Sequence, residues 1–219
     1  MARMARAVIP DFPHHVTQRG NRRQRTFFCE DDYRLYIDLL ADALEKADAE
    51  ILAYCLMPNH VHLVVTPRNE NSLAKLFQEA HRRYTCTINL RQNWRGHLWQ
   101  ERFHSFVMDE QHLLAAVRYI ELNPVRAGLC VQPSDWPWSS VHAHLTRKDD
   151  KLVSVEPMLN RVSDWPAYLS VSNDEDTINT IRQHTRSGRP AGGPQFIEQV
   201  SRICGRDLAP RRPGRPAKN

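Results

Sequence analysis

Leu56-Met57-Pro58-Asn59-His60-Val61-His62-Leu63-Val64-Val65-Thr66-Pro67 is an apolar run broken by a turn and by two histidines spaced two apart. Pro58 fixes φ and Asn59 tolerates turn conformations, so the pair reads as a reversal of the chain. The aliphatic and β-branched residues that follow alternate as a strand does, which puts His60 and His62 on one face. Two imidazoles side by side are half of a metal site. The plainer reading is a pair of ordinary strand histidines bonded to backbone or solvent, in a chain that holds 11 histidines. The rest of the sequence has to decide between them.

Immediately upstream, Ile51 to Leu56 reads as a second strand and makes a hairpin with the first. Before it, Leu35, Ile37, Leu39, Leu40, Ala43, Leu44 and Ala47 recur among acids at helical spacing, predicting an amphipathic helix near 30–48 with a solvated acidic face. Downstream, Leu73, Leu76, Phe77, Ala80, Tyr84 and Ile88 predict a helix near 71–92. Trp99 to Val107 alternates as a strand. A third helix near 110–123 starts at the potential cap Asp109 and stops before Pro124. His14 to Thr17 is a further short strand.

This order predicts an α+β domain with helices packed on one face of a mainly antiparallel sheet. The expected organisation is a catalytic-type domain over 1–145, an accessory polar and helical extension over 146–187, and a basic, Gly/Pro-rich DNA-binding arm over 188–219. Ser134-Asp135-Trp136-Pro137 recurs as Ser163-Asp164-Trp165-Pro166, and two copies do not make a repeat architecture.

Composition narrows the function classes. No apolar run approaches the roughly 20 residues that cross a bilayer, which leads to the expectation of no membrane partner and a cytoplasmic, nucleoid-associated protein. Five scattered cysteines with no Cys-x-x-Cys indicate neither a disulfide framework nor a zinc ribbon. The net charge of +5 is unevenly spread: residues 1–28 carry +5, residues 182–219 carry +7, and the stretch between carries −7. Basic ends on an acidic middle suit a polyanion partner, although basic tails are also common solvated termini. Arg22, Arg23 and Arg25 in a loop, Arg82 and Arg83 on the second helix, and Arg211, Arg212 and Arg215 near the end are the candidate DNA contacts.

In the third helix, Tyr119 and Asn123 lie one turn apart on one face, with Ala115 and Ala116 a turn earlier leaving room beside the ring. A tyrosine can serve as a covalent nucleophile, and an ordinary helix tyrosine fits the spacing equally well. An unperturbed phenol has a pKa of about 10, so attack needs activation. A metal ion on His60, His62 and the Asn123 oxygen would provide it by polarising a phosphodiester.

Four segments taken together carry more than any one of them. Pro58-Asn59-His60-Val61-His62-Leu63, Trp99-Gln100-Glu101-Arg102-Phe103, Tyr119-Ile120-Glu121-Leu122-Asn123-Pro124-Val125-Arg126-Ala127-Gly128-Leu129 and Asp135-Trp136-Pro137-Trp138-Ser139-Ser140, in this order, resemble the REP-associated tyrosine transposases, a branch of the single-tyrosine HUH endonucleases. The resemblance spans roughly residues 7–145. It implies a ferredoxin-like domain that cuts single-stranded DNA beside REP-like palindromic hairpins, using Mg²⁺ or Mn²⁺ and a 5′-phosphotyrosine intermediate. Residue by residue, it makes Tyr119 the nucleophile and His60, His62 and Asn123 the metal ligands. Many of the broader single-tyrosine transposases have Gln where this chain has Asn123, and the shorter amide belongs to the REP-associated branch. The end of the arm, Arg211-Arg212-Pro213-Gly214-Arg215-Pro216, is similar to a minor-groove hook built on Gly-Arg-Pro, a match of three residues. The implied partner is hairpin or single-stranded DNA, met as a monomer or a homodimer. The alternative is a domesticated hairpin-binding protein that no longer cuts.

Overall fold

The computed structural model of the chain describes residues 6–209. Four antiparallel strands form one sheet: β1 (His14–Arg19), β2 (Ala49–Met57), β3 (His60–Pro67) and β4 (His104–Val107), in the spatial order β2-β3-β1-β4. The hairpin of β2 and β3 places β2 at an edge. Residues 138–140 cover that edge, with Leu56 N donating to Trp138 O and Ser140 N to Tyr54 O.

On one face, Val16, Leu56, Val61, Leu63 and Val65 pack against α1 (Glu30–Ala47) and α2 (Ser72–Gln92). The two helices are tied at their ends by Asp32, whose carboxylate accepts both Nη atoms of Arg91 at 2.6 and 2.8 Å. On the other face, Cys55, Met57, Val64 and Phe106 pack against α3 (Glu110–Glu121), α7 (Trp165–Ser170) and α8 (Glu175–Ser187). The expected covering of one face therefore holds for α1 and α2 and is corrected for α3, which crosses to the opposite side. The physical reason lies in the strands. Ile51 to Met57 and Val61 to Val65 are buried without alternation, and a sheet apolar on both faces needs cover on both.

Two boundaries also differ from expectation. Only His104–Val107 of the predicted strand pairs in the sheet. At Glu101 φ is 55°, which turns the preceding segment away, although Gln100 N still donates to Arg19 O. The third helix ends at Glu121 and restarts after Leu122 as the single turn α4 (Asn123–Arg126), with Pro124 in its first turn where a missing N–H costs nothing.

Past residue 140, the short helices α5 (Val141–Thr146) and α6 (Glu156–Leu159) lead to α7 and α8, and α9 (Pro194–Ile203) follows. The two Ser-Asp-Trp-Pro copies do different work: Trp136 Nε1 donates to Leu56 O, whereas Asp164 caps α7 and Trp165 Nε1 reaches Glu121. Among the described residues, no helix is long and apolar enough to cross a membrane.

Candidate active site

Cross-strand register builds the site. His60 lies opposite Arg19 and Met57, and His62 opposite Thr17 and Cys55. His15 and His104 add to the same face from β1 and β4. Above this floor α3 presents Tyr119, whose ring lies 5.8 Å from that of His62, nearly perpendicular to it. The helix that carries Tyr119 packs on the sheet of its own chain.

A hydrogen bond to Asn59 fixes the tautomer of His60, and a ring-to-ring bond orients His62. Asn59 Nδ2 donates to Arg23 O at 3.1 Å, so its oxygen is the end turned to His60, and His60 Nδ1 donates to it at 2.6 Å. That leaves the Nε2 lone pair of His60 directed at Asn123, whose amide nitrogen is 3.4 Å away. His62 Nδ1 lies 2.9 Å from His15 Nε2, in rings only 6° from coplanar. With His15 accepting, His62 also offers a free Nε2. Burial keeps these imidazoles neutral: it pushes His15 to about 3 and, helped by Arg19 and Arg126, His60 to about 4, while His62 is held well below the ordinary histidine value by burial and its charged neighbours. Neutral rings are the ligating form.

These residues fit a divalent cation in part. Two imidazoles are brought together, and among the described residues no group of three or more His, Cys, Asp or Glu could hold a metal ion. The Asn123 amide lies beside them, its nitrogen toward His60 Nε2 and its oxygen accepting from Arg126 Nη2 at 2.9 Å with a second lone pair to spare.

A cleft of about 450 Å³ opens over His60, His62 and Tyr119. Arg19, Arg23, Arg182 and Arg186 line it, and no carboxylate does. Sequence reasoning named Arg23, took Arg182 and Arg186 only as part of the basic stretch 182–219, and did not single out Arg19, His15 or Arg126. Arg182 and Arg186 arrive from α8, far along the chain; their only sequence signal is a spacing of four on a predicted basic segment. Arg22 and Arg25 are exposed on the same loop as Arg23. Arg82 and Arg83 are not brought to the cleft: α2 lies on the other face, where they pair with Glu79 and Asp42. Arg82 borders a separate cavity of about 570 Å³ walled by Phe77, His81, Trp99 and Phe103. Arg211, Arg212 and Arg215 lie outside the described residues.

Of the six tyrosines, Tyr119 alone borders the cleft. Tyr84, also on a helix, is fully buried on the far face and donates to Thr26 O at 2.6 Å. Burial raises Tyr33 to about 12 and drives Tyr36, Tyr54, Tyr84 and Tyr168 still higher.

Comparison with known proteins gives the family. A REP-associated tyrosine transposase of Escherichia coli (strain K12) is 26% identical over 127 residues, 58% of this chain and 74% of that protein. A solved structure of a REP-associated tyrosine transposase bound to a REP hairpin superposes with a TM-score of 0.59 at 23% identity, covering 69% of this chain and 90% of the other, which shows a shared fold. Residues 10–123, just over half of the chain, match the family described as "Transposase IS200 like". The chain belongs to the IS200-like transposase family, with REP-associated tyrosine transposases among its relatives.

Proposed function

We propose that the protein is a metal-dependent single-strand DNA endonuclease and strand transferase acting at REP-like hairpins, through a 5′-phosphotyrosine at Tyr119. The observation that carries this reading is the convergence, in a cleft lined by arginines and, among the described residues, by no carboxylate, of a tyrosine with two histidines that burial keeps neutral. The surrounding cations suit a phosphodiester backbone, and the hairpin partner follows from the relative that binds one.

Tyr119 faces the histidine floor of the cleft from α3, 8% exposed, with its ring braced by His15 and His62. This limits the directions of attack. His60, His62 and the Asn123 oxygen would hold Mg²⁺ or Mn²⁺, which would supply Lewis-acid polarisation of the phosphodiester. Asn59 holds His60 in the tautomer that ligates, and His15 orients the His62 ring. Arg19, Arg182 and Arg186 hold the strand along the cleft, and the loop arginines Arg22, Arg23 and Arg25 reach toward the stem. Covalent capture conserves the broken bond's energy, so the strand can be rejoined without ATP. Such an activity belongs in the cytoplasm, at the nucleoid.

The test is cleavage of hairpin oligonucleotides with single-stranded flanks. The native protein with Mg²⁺ or Mn²⁺ should give a denaturant-resistant protein–DNA adduct, absent in excess EDTA and in Tyr119→Phe, which still binds the hairpin. Binding by the native protein with no adduct under any divalent cation would favour the non-cleaving alternative.

A further inference from the structure

Several of the described arginines are held by carboxylates. Arg34, Arg68, Arg82, Arg83, Arg91, Arg161 and Arg202 each pair with a carboxylate. Arg126 does not. Its described partners are neutral oxygens: Asn123 Oδ1 at 2.9 Å and Tyr119 O at 3.0 Å, both from Nη2. The residue is exposed at the end of α4. Among the described residues no carboxylate pairs with it, so its charge is open to an anion from outside the chain.

The position of the group says which charge. Arg126 Cζ lies 4.0 Å from the centroid of the Tyr119 ring, over its face. A cation there stabilises electron density that spreads into the ring when the phenol oxygen ionises. Only Nη2 is engaged, so the other edge of the planar fork is available to a phosphate oxygen, the geometry to which guanidinium is matched.

We propose that Arg126 is a catalytic residue that binds the scissile phosphate and stabilises the Tyr119 phenolate. The proposal rests on Tyr119 being the nucleophile. In the step, the Tyr119 hydroxyl proton passes to solvent, the Oη–P bond forms, and the P–O3′ bond breaks. The 3′ oxygen takes a proton from solvent and leaves as a hydroxyl. The phosphodiester keeps its single negative charge, and Arg126 neutralises the additional charge that builds up on its oxygens between the two states.

Single-turnover adduct formation, on a hairpin oligonucleotide that the native protein cleaves, tests this in full-length Arg126→Met, Arg126→Lys and Arg126→Ala. Loss of one such donor commonly slows chemistry by about 100- to 1,000-fold, and Arg126→Met should show that loss with hairpin affinity within about threefold of native. Arg126→Lys should lie between. Free guanidinium, and not sodium chloride of equal ionic strength, should restore part of the rate in Arg126→Ala, an effect a packing role would not produce. The proposal is overturned by an Arg126→Met rate within about threefold of native, or by slow variants whose melting temperature and hairpin affinity fall together without a guanidinium response. If the native protein itself forms no adduct, the nucleophile reading fails first and this one with it.

Discussion

Asn59 shows how much of the site rests on one side chain. Its nitrogen is committed to Arg23 O and its oxygen to His60 Nδ1, so the amide selects the tautomer in which His60 Nε2 carries the lone pair. Partners of this kind commonly contribute 10- to 100-fold to metal affinity. Asn59→Ala should therefore weaken Mn²⁺ binding by about that factor, measured by titration under electron paramagnetic resonance, with hairpin affinity unchanged. His60→Ala and His62→Ala should each abolish cleavage and spare binding; a variant that cuts normally would remove that histidine from the ligand set. His60, His62, Tyr119 and Asn123 could be named as candidates because the motifs that hold them occur together and in order; spacing alone singled out none of them. Arg126 sits in such a motif too, but nothing in Asn-Pro-Val-Arg signals that the chain turns the guanidinium back over a ring seven positions earlier. His15 was not legible either, since its bond to His62 depends on the pairing of β1 with β3.

The elements that hold these residues meet at Glu121, between Tyr119 and Asn123. Its fully buried carboxylate accepts from Ser140 Oγ, His144 Nδ1 and Trp165 Nε1 at 2.7 to 2.8 Å, joining the end of α3 to α5 and α7. Glu121→Ala strands three buried donors and should cost roughly 3–5 kcal/mol in denaturant unfolding. The order of helices and strands could be read from periodicity. The side of the sheet taken by α3 could not be read from the helix itself, and its clue was the unbroken apolar character of β2 and β3. Nor did a basic segment near 182 show that α8 would pack its Ile178 and Ile181 into the core and turn Arg182 and Arg186 into the cleft. For those two arginines the expected outcome concerns salt. Each phosphate contact contributes a slope of roughly −0.7 to −0.9 to affinity against salt, so Arg182→Ala/Arg186→Ala should flatten it, and an unchanged slope would put them off the DNA.

At the scale of the molecule, the buried histidines make stability depend on pH. His14 accepts Ile9 N–H at Nε2 and donates to Phe12 O from Nδ1, so it has to stay neutral, and burial lowers it to about 4; His81 is lowered to about 3. In the unfolded chain both titrate near 6.5, so below that pH the unfolded state binds more protons and is favoured. Their contribution is complete above about 6.5 and falls away as the pH drops toward 4 and then 3. Melting temperature should decline between pH 7 and pH 5, less steeply in His81→Gln. The same core sets Tyr84 and the other buried tyrosines away from solvent and leaves Tyr119 in the cleft. The most direct test of the account is therefore where the DNA is attached. After cleavage in Mn²⁺, proteolysis and mass spectrometry of the covalent adduct should find the nucleotide on the peptide containing Tyr119 and on no other. A nucleotide carried by Tyr84 or by any other residue would contradict it.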